Sequence, residues 1–141
     1  MPVLGLDGAR AILDAALDAA RAAGVRVSCC VVDASGDELA GIRMDGAVWF
    51  TSGVARAKAR TAARMGADSA ALAGLKADYP ELLALIDGQL PFDVTTLPGG
   101  VVIRDGSAVV GAVGVSGAHP DQDVAVATAG IAAWRGDRPR P

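Results

Sequence analysis

Four ionisable side chains stand where this sequence could do chemistry: Lys58, His119, Asp121 and Asp123. Lys58 lies in "ARAKARTAA", within a predicted helix over 48–65. Arg56, Arg60 and Arg64 recur there every four residues as one basic stripe, and Lys58 falls on the other side with Val54, Thr61, Ala62 and Met65. That side should meet a sheet, and an unpaired buried ammonium costs several kcal/mol. Three readings stay open. Lys58 anchors the carboxylate of a ligand, it holds a structural ion pair with Asp33 or Asp45, or its stem reaches out to solvent. If burial lowered its pKa it could also serve as a base, with His119 or Asp121 as the partner.

The second group is "GVSGAHPDQD". Ser116, Gly117 and Ala118 leave a predicted strand just before a predicted helix over 120–134, where free backbone N–H groups favour anions. Asp121 and Asp123 sit in the first turn of that helix, where negative charge complements the dipole. His119 is the single histidine, so no zinc site is expected. Ser116, His119 and Asp121 are too close in sequence to converge as a triad, and no GxSxG pattern is present. In "TTLPGGVVI", Pro98, Gly99 and Gly100 precede a strand and would let a ligand approach main-chain N–H groups, or simply make a turn. The next strand gives up side chains at Gly111 and Gly114, with Gly117 at its exit. Either another backbone packs close there or a ligand does.

The elements that position these residues read in order as helix, hairpin, helices, hairpin, helix. Residues 7–23 carry charges on one narrow face and Ile12, Leu13, Ala16 and Ala20 on the other, with Asp7 as N-cap and Gly24 as the stop. Residues 25–33 and 39–44 form a hairpin around Gly36, in which Asp33 is expected to bond the turn amides, with a cross-strand pair to Arg43 as the alternative. Short helices follow over 68–76 and 80–87, and 88–96 is a loop that could add a fifth strand. Residues 101–104 and 108–115 form a second hairpin around Asp105-Gly106. The last helix turns Val124, Ala127, Thr128 and Ile131 inward. Hairpins pair antiparallel, so the fold class is α+β: an antiparallel sheet of about five strands covered by helices. No Rossmann or P-loop fingerprint occurs.

At 141 residues the chain suits one domain, taken as 1–135, with 136–141 as a disordered tail. It is 52% hydrophobic but only 4% aromatic and rich in alanine, so the core should be thin and completed by homo-oligomerisation. A net charge of −3 argues against nucleic acid as a partner. Neither a signal peptide nor a membrane span is evident. Cys29 and Cys30 are neighbours, which point to opposite faces of a strand, so they are read as small apolar residues with free thiols suited to a reducing cytoplasm. The Arg56/Arg60/Arg64 stripe is read as a solvated face or one that pairs with acids of another subunit.

"VVDASGDELAGIRMDGA", "ARAKARTAA", "LPGG" and "GAVGVSGAHPDQD", in that order, resemble the GlcG/HbpS family, which includes the C-terminal domain of PduO-type proteins. The resemblance runs from the first helix to the last. It implies a profilin-like fold and assembly into dimers or larger rings. It also implies haem binding in some members, and redox sensing or haem degradation in others. Carried over residue by residue, it marks Lys58, Thr61, Pro98, Gly99, Gly100, Gly114, Ser116, Gly117, Asp121 and Asp123. His119 stands where the family more often has a small or polar residue. The histidines that haem-binding members use near the first helix are missing, which leaves His119 as the one imidazole for haem.

Three functions follow from these residues. In the first, an oligomeric accessory protein binds haem or a carboxylated metabolite. Lys58, Thr61, Pro98, Gly99, Gly100, Ser116, Gly117, His119 and Asp123 would form the site, with Trp49, Phe50 and Phe92 as its walls. In the second, an enzyme does proton-transfer or lyase chemistry through Lys58, His119 and Asp121. In the third, the chain is a structural component assembled through its arginine stripe.

Overall fold

The computed structural model describes residues 4–136. The element order is α1 (Leu6–Ala23), β1 (Ser28–Asp33), β2 (Glu38–Arg43), α2 (Thr51–Met65), a 3-10 turn (Ser69–Leu72), α3 (Ala73–Asp78), α4 (Pro80–Asp87), β3 (Gly100–Asp105), β4 (Ala108–Ser116) and α5 (Pro120–Gly136). The fold is α+β, as the two hairpins require. The strands form one antiparallel sheet in the order β2-β1-β4-β3.

That sheet has four strands among the described residues, not about five. The segment expected to supply the fifth has its amides taken by side chains instead. Val94 N–H donates to Asp87, Thr95 N–H to Thr61, and Leu97 N–H to Thr95. Pro91 and Pro98 have no N–H to offer a ladder. The tail expected over 136–141 lies outside the described residues, except that Gly136 ends α5.

Alternation along the strands sends side chains to two different coverings. On one face Val31, Val113, Val115 and Ile103 meet α1 and α5, with Ile12, Leu13, Ile131 and Trp134 filling the layer. On the other, Cys30, Val32 and Ala112 meet only alanines of α2, Ala55, Ala59, Ala62 and Ala63. The α1 pattern holds, with Ala9, Ile12, Leu13, Ala16 and Ala20 buried. Its N-cap is Gly5, however, and Asp7 falls in the first turn. In α5 the inner stripe is Asp123, Val126, Ala127, Gly130, Ile131 and Trp134. Thr128 is exposed and returns its hydroxyl to Val124 O at 2.8 Å. The helix is rotated from the expected setting, with Gly130 lying against the α1 backbone at Ile12 where a Cβ would not fit.

The glycines of β4 have a structural answer. Register places Gly41, Cys30, Gly114 and Gly100 side by side across all four strands. This row is a trough of minimal side chains, and α2 lies over its Gly114 and Gly100 stretch. A Cβ on Gly114 would overlap Ala55 O, and one on Gly100 would overlap Lys58 O. Gly111 is likewise pressed against Val32 O on β1 and Leu4. The bare main chain is therefore covered by the protein's own backbone.

Candidate functional site

Lys58 projects from the buried side of α2, and its side chain is only 5% exposed. It runs past Gly99, where a Cβ would stand 2.9 Å from its ammonium and 3.1 Å from its Cδ. Its Nζ donates to Val115 O at 2.8 Å and to Asp123 Oδ2 at 3.2 Å. The ion-pair partner is thus Asp123, not Asp33 or Asp45. The bond ties α2, on one face of the sheet, to the start of α5, on the other.

Asp123 is equally buried and has a second task. Its Oδ1 accepts the Ala118 N–H at 3.0 Å, which fixes the turn between β4 and α5. Burial raises its pKa above the ordinary aspartate value, and this outweighs the opposing pull of Lys58 and of the Ala118 N–H. Asp123 stands four residues before Ala127 and eight before Ile131, so its place on the inner stripe of α5 was readable from spacing. Two opposite charges predicted on inward faces is the signal that could have joined them.

His119 and Asp121 lie outside this pair, at the surface. The imidazole is 71% exposed and the Asp121 carboxylate 96%, and they stand 3.9 Å apart. His119 Nδ1 accepts the Asp121 N–H at 3.4 Å, while Gln122 reaches back to the His119 N–H at 3.2 Å. His119 therefore caps α5, with Gln122 closing the reciprocal half of a capping box. A neutral imidazole that accepts at Nδ1 carries its proton on Nε2.

The other expected residues occupy distinct places. Gly99 and Gly117 take φ of 125° and 129°, in the region that favours glycine. Gly117 fits against the Arg26 and Val27 backbone. Gly100 N–H donates to Ser69 Oγ at 2.9 Å, and that hydroxyl donates to Leu97 O at 2.6 Å, so Ser69 holds the "LPGG" turn. Sequence reasoning missed it, since a lone serine after a helix has no distinctive spacing. Thr61 is buried and accepts the Thr95 N–H at 3.1 Å. Pro98 sits half-buried in the same turn. Ser116 is buried and pairs with Ser28 across the sheet. Ser28 Oγ in turn bonds Thr51 Oγ1 at 2.8 Å, at the start of α2.

That register puts Val48-Trp49-Phe50, just ahead of Thr51, at the same end of the sheet as Ser116 to His119. Trp49 is 82% exposed and meets Phe50 edge to face, with ring centroids 5.7 Å apart. Phe92 is elsewhere, half-buried, with the Arg60 guanidinium 4.8 Å from its ring centroid. The three aromatics are not one wall.

The arginine stripe corrects one expectation, and Asp33 meets the first of its two readings. Arg56 pairs with Glu38 at 3.4 Å, Arg60 donates to Gly36 O at 3.2 Å, and Arg64 to Ser35 O at 3.5 Å. The basic stripe therefore clamps the β1–β2 hairpin of its own chain. Asp33 does not pair with Arg43, which stands opposite Ser28. Asp33 Oδ1 accepts the Ser35 and Asp37 N–H groups of the turn, and Arg43 donates to Ala47 O. Both cysteines are free and buried, and burial pushes each thiol up to about 12. No group of metal-binding side chains occurs among the described residues.

An antiparallel sheet with helices on both faces and a buried lysine–aspartate tie across one end defines an α+β domain of a known class. The model of the HbpS-like family, described as haem degrading protein HbpS-like, matches residues 4–132, and the chain belongs to that family. Among solved structures, Klebsiella pneumoniae protein ORFY is similar at 25% identity and a TM-score of 0.87, covering 98% of this chain and 94% of that one. A double mutant of Streptomyces reticuli HbpS is 34% identical with a TM-score of 0.82, covering 94% of this chain and 87% of that one. The PduOC:heme complex is 29% identical with a TM-score of 0.82, covering 94% of this chain and 95% of that one. No match was found among curated protein sequences. No helix among the described residues is long and apolar enough to cross a membrane.

Proposed function

We propose that this chain is an oligomeric accessory protein that binds haem or another small carboxylated ligand at the end of the sheet where β4 passes into α5. Membership of the HbpS-like family and similarity to a protein solved with haem support the ligand class. The observation that carries the reading is that the exposed Trp49-Phe50 segment ahead of α2 and the exposed His119 at the head of α5 lie at the same end of the sheet, where Ser28 meets Ser116. Apolar surface of that kind suits a flat hydrophobic molecule, and free-standing aromatic side chains commonly mark binding faces. Gly117 is exposed at this end and Pro98 half-buried, while Thr61, Gly99, Gly100 and Ser116 are buried and frame the face from behind. Lys58 and Asp123 hold the two layers in register beneath it, and the ammonium has one of its three donors left for a carboxylate. Haem, when bound, would supply the redox-active iron, with His119 as the imidazole within this chain able to meet it.

Titration with haemin tests this. The expected result is a saturable shift of the Soret band at micromolar protein, which His119→Ala alters in position or affinity. Absence of any shift overturns the haem reading. Sizing of the wild-type protein against its monomer mass tests the oligomer.

A further inference from the structure

A separate cleft of about 460 Å³ opens between α1 and the edge strand β2. Its apolar lining comes from Leu17 of α1, Ile42 of β2 and Met44 just beyond. Three arginines from three parts of the chain contribute to its lining. Arg21 comes from the last turn of α1, Arg26 from the α1–β1 connection and Arg43 from β2, with Asp45 as the acid on the lining. In a chain of net charge −3, this is a local excess of cations.

Their present partners leave them short of acceptors. Arg21 meets Asp18 at 3.7 Å in a pair open to water on both sides, which contributes little. Arg43 donates to one carbonyl, Ala47 O, at 3.1 Å. The Arg26 guanidinium makes no hydrogen bond or ion pair among the described residues. It is nevertheless seated by shape, because Gly46 has a φ of 82° and a Cβ there would overlap Arg26 Nη1. The bare glycine lets the guanidinium lie against the loop beside the cleft.

We propose that this cleft binds a small amphipathic anion, a molecule with an apolar body and a carboxylate or sulfonate group. The body lies on Leu17, Ile42 and Met44, and the anionic group meets Arg21 and Arg26 beside Arg43, since planar guanidinium forks match such oxygens in pairs. The volume lies within the usual range for ligand pockets, roughly 300–1,000 Å³. The cleft shares no lining residue with the site proposed above.

The test is a fluorescence titration with anilinonaphthalene sulfonate, using the neutral N-phenylnaphthylamine as the uncharged counterpart. The sulfonate is expected to bind saturably, Arg26→Gln to weaken it about tenfold, and the Arg21→Gln, Arg26→Gln double variant to weaken it further. The neutral probe should change less than about twofold across the same variants. Arg26→Gln breaks no hydrogen bond or ion pair among the described residues and gives up only the packing on Gly46, so its melting temperature should stay close to the wild type. Leu85→Gln, on the exposed apolar face of α4, should leave sulfonate affinity unchanged. No saturable binding, equal affinity in wild type and double variant, or a loss in Leu85→Gln instead would each overturn the proposal.

Discussion

The two faces of the sheet are covered by opposite strategies. Under α1 and α5, large branched side chains fill a layer of ordinary thickness, with Ile12, Ile103 and Ile131 at its centre. Under α2 there is almost no layer, because alanines rest on a trough of Gly100, Gly114 and Cys30. Burial energy scales with apolar area, so the first face supplies most of the hydrophobic stabilisation. The second brings two backbones together, and the Lys58 stem passes between them to reach the far layer. One face depends on volume and the other on the lack of it.

The largest expected effect is on the tie between them. Lys58→Met removes the cation and leaves Asp123 buried without its ion pair, at a cost of about 3–5 kcal/mol. Urea unfolding measures it, and a loss below about 1 kcal/mol would mean the pair is peripheral to the fold. Next, Ile131→Ala on the thick face should cost about 2–5 kcal/mol, since a cavity stays open among rigid neighbours.

On the thin face the sensitive change is the reverse. Ala59→Leu should destabilise by about 1–3 kcal/mol or more, although it adds apolar surface, because α2 cannot rise without straining Lys58. If Ala59→Leu is neutral or stabilising, the contrast between the faces fails. Smaller again is the pH response of Asp123. Its folded pKa is raised, so the native state holds that proton more tightly than the unfolded chain does. The group's stabilisation is therefore full below the ordinary aspartate value and is lost as pH rises through the folded one. Asp123→Asn does not titrate there. The stability of wild type relative to this variant should fall as pH rises past the ordinary aspartate value, and a rise would show that the Lys58 pair dominates. Finally, with both thiols pushed up to about 12 by burial, neither Cys29 nor Cys30 should react with a disulfide reagent near neutral pH until the chain unfolds.

Much of the fold was legible because it is written in local patterns. The period of α1, the stops at Gly24 and Gly66, and the Asp105-Gly106 turn each depend on residues close in sequence. The inward face of Lys58 was legible for the same reason, whereas its partner was not. Asp123 lies 65 residues away, on the opposite side of a sheet whose strand order no local pattern states. The arginine stripe misled in the same way. Beside the Glu38 carboxylate that Arg56 meets, its acceptors are the carbonyls of Ser35 and Gly36 in the first hairpin, and main-chain oxygens carry no signature in a sequence.

By itself, then, the sequence determined which segments are helices and strands and which sides of them turn away from water. Side-chain period and turn chemistry act over a few residues. Only the tertiary structure decided that the β4 glycines admit a helix, that Lys58 closes on Asp123, and that Arg21, Arg26 and Arg43 converge on one cleft. Those outcomes depend on strand order and register, which are settled by packing between distant parts of the chain.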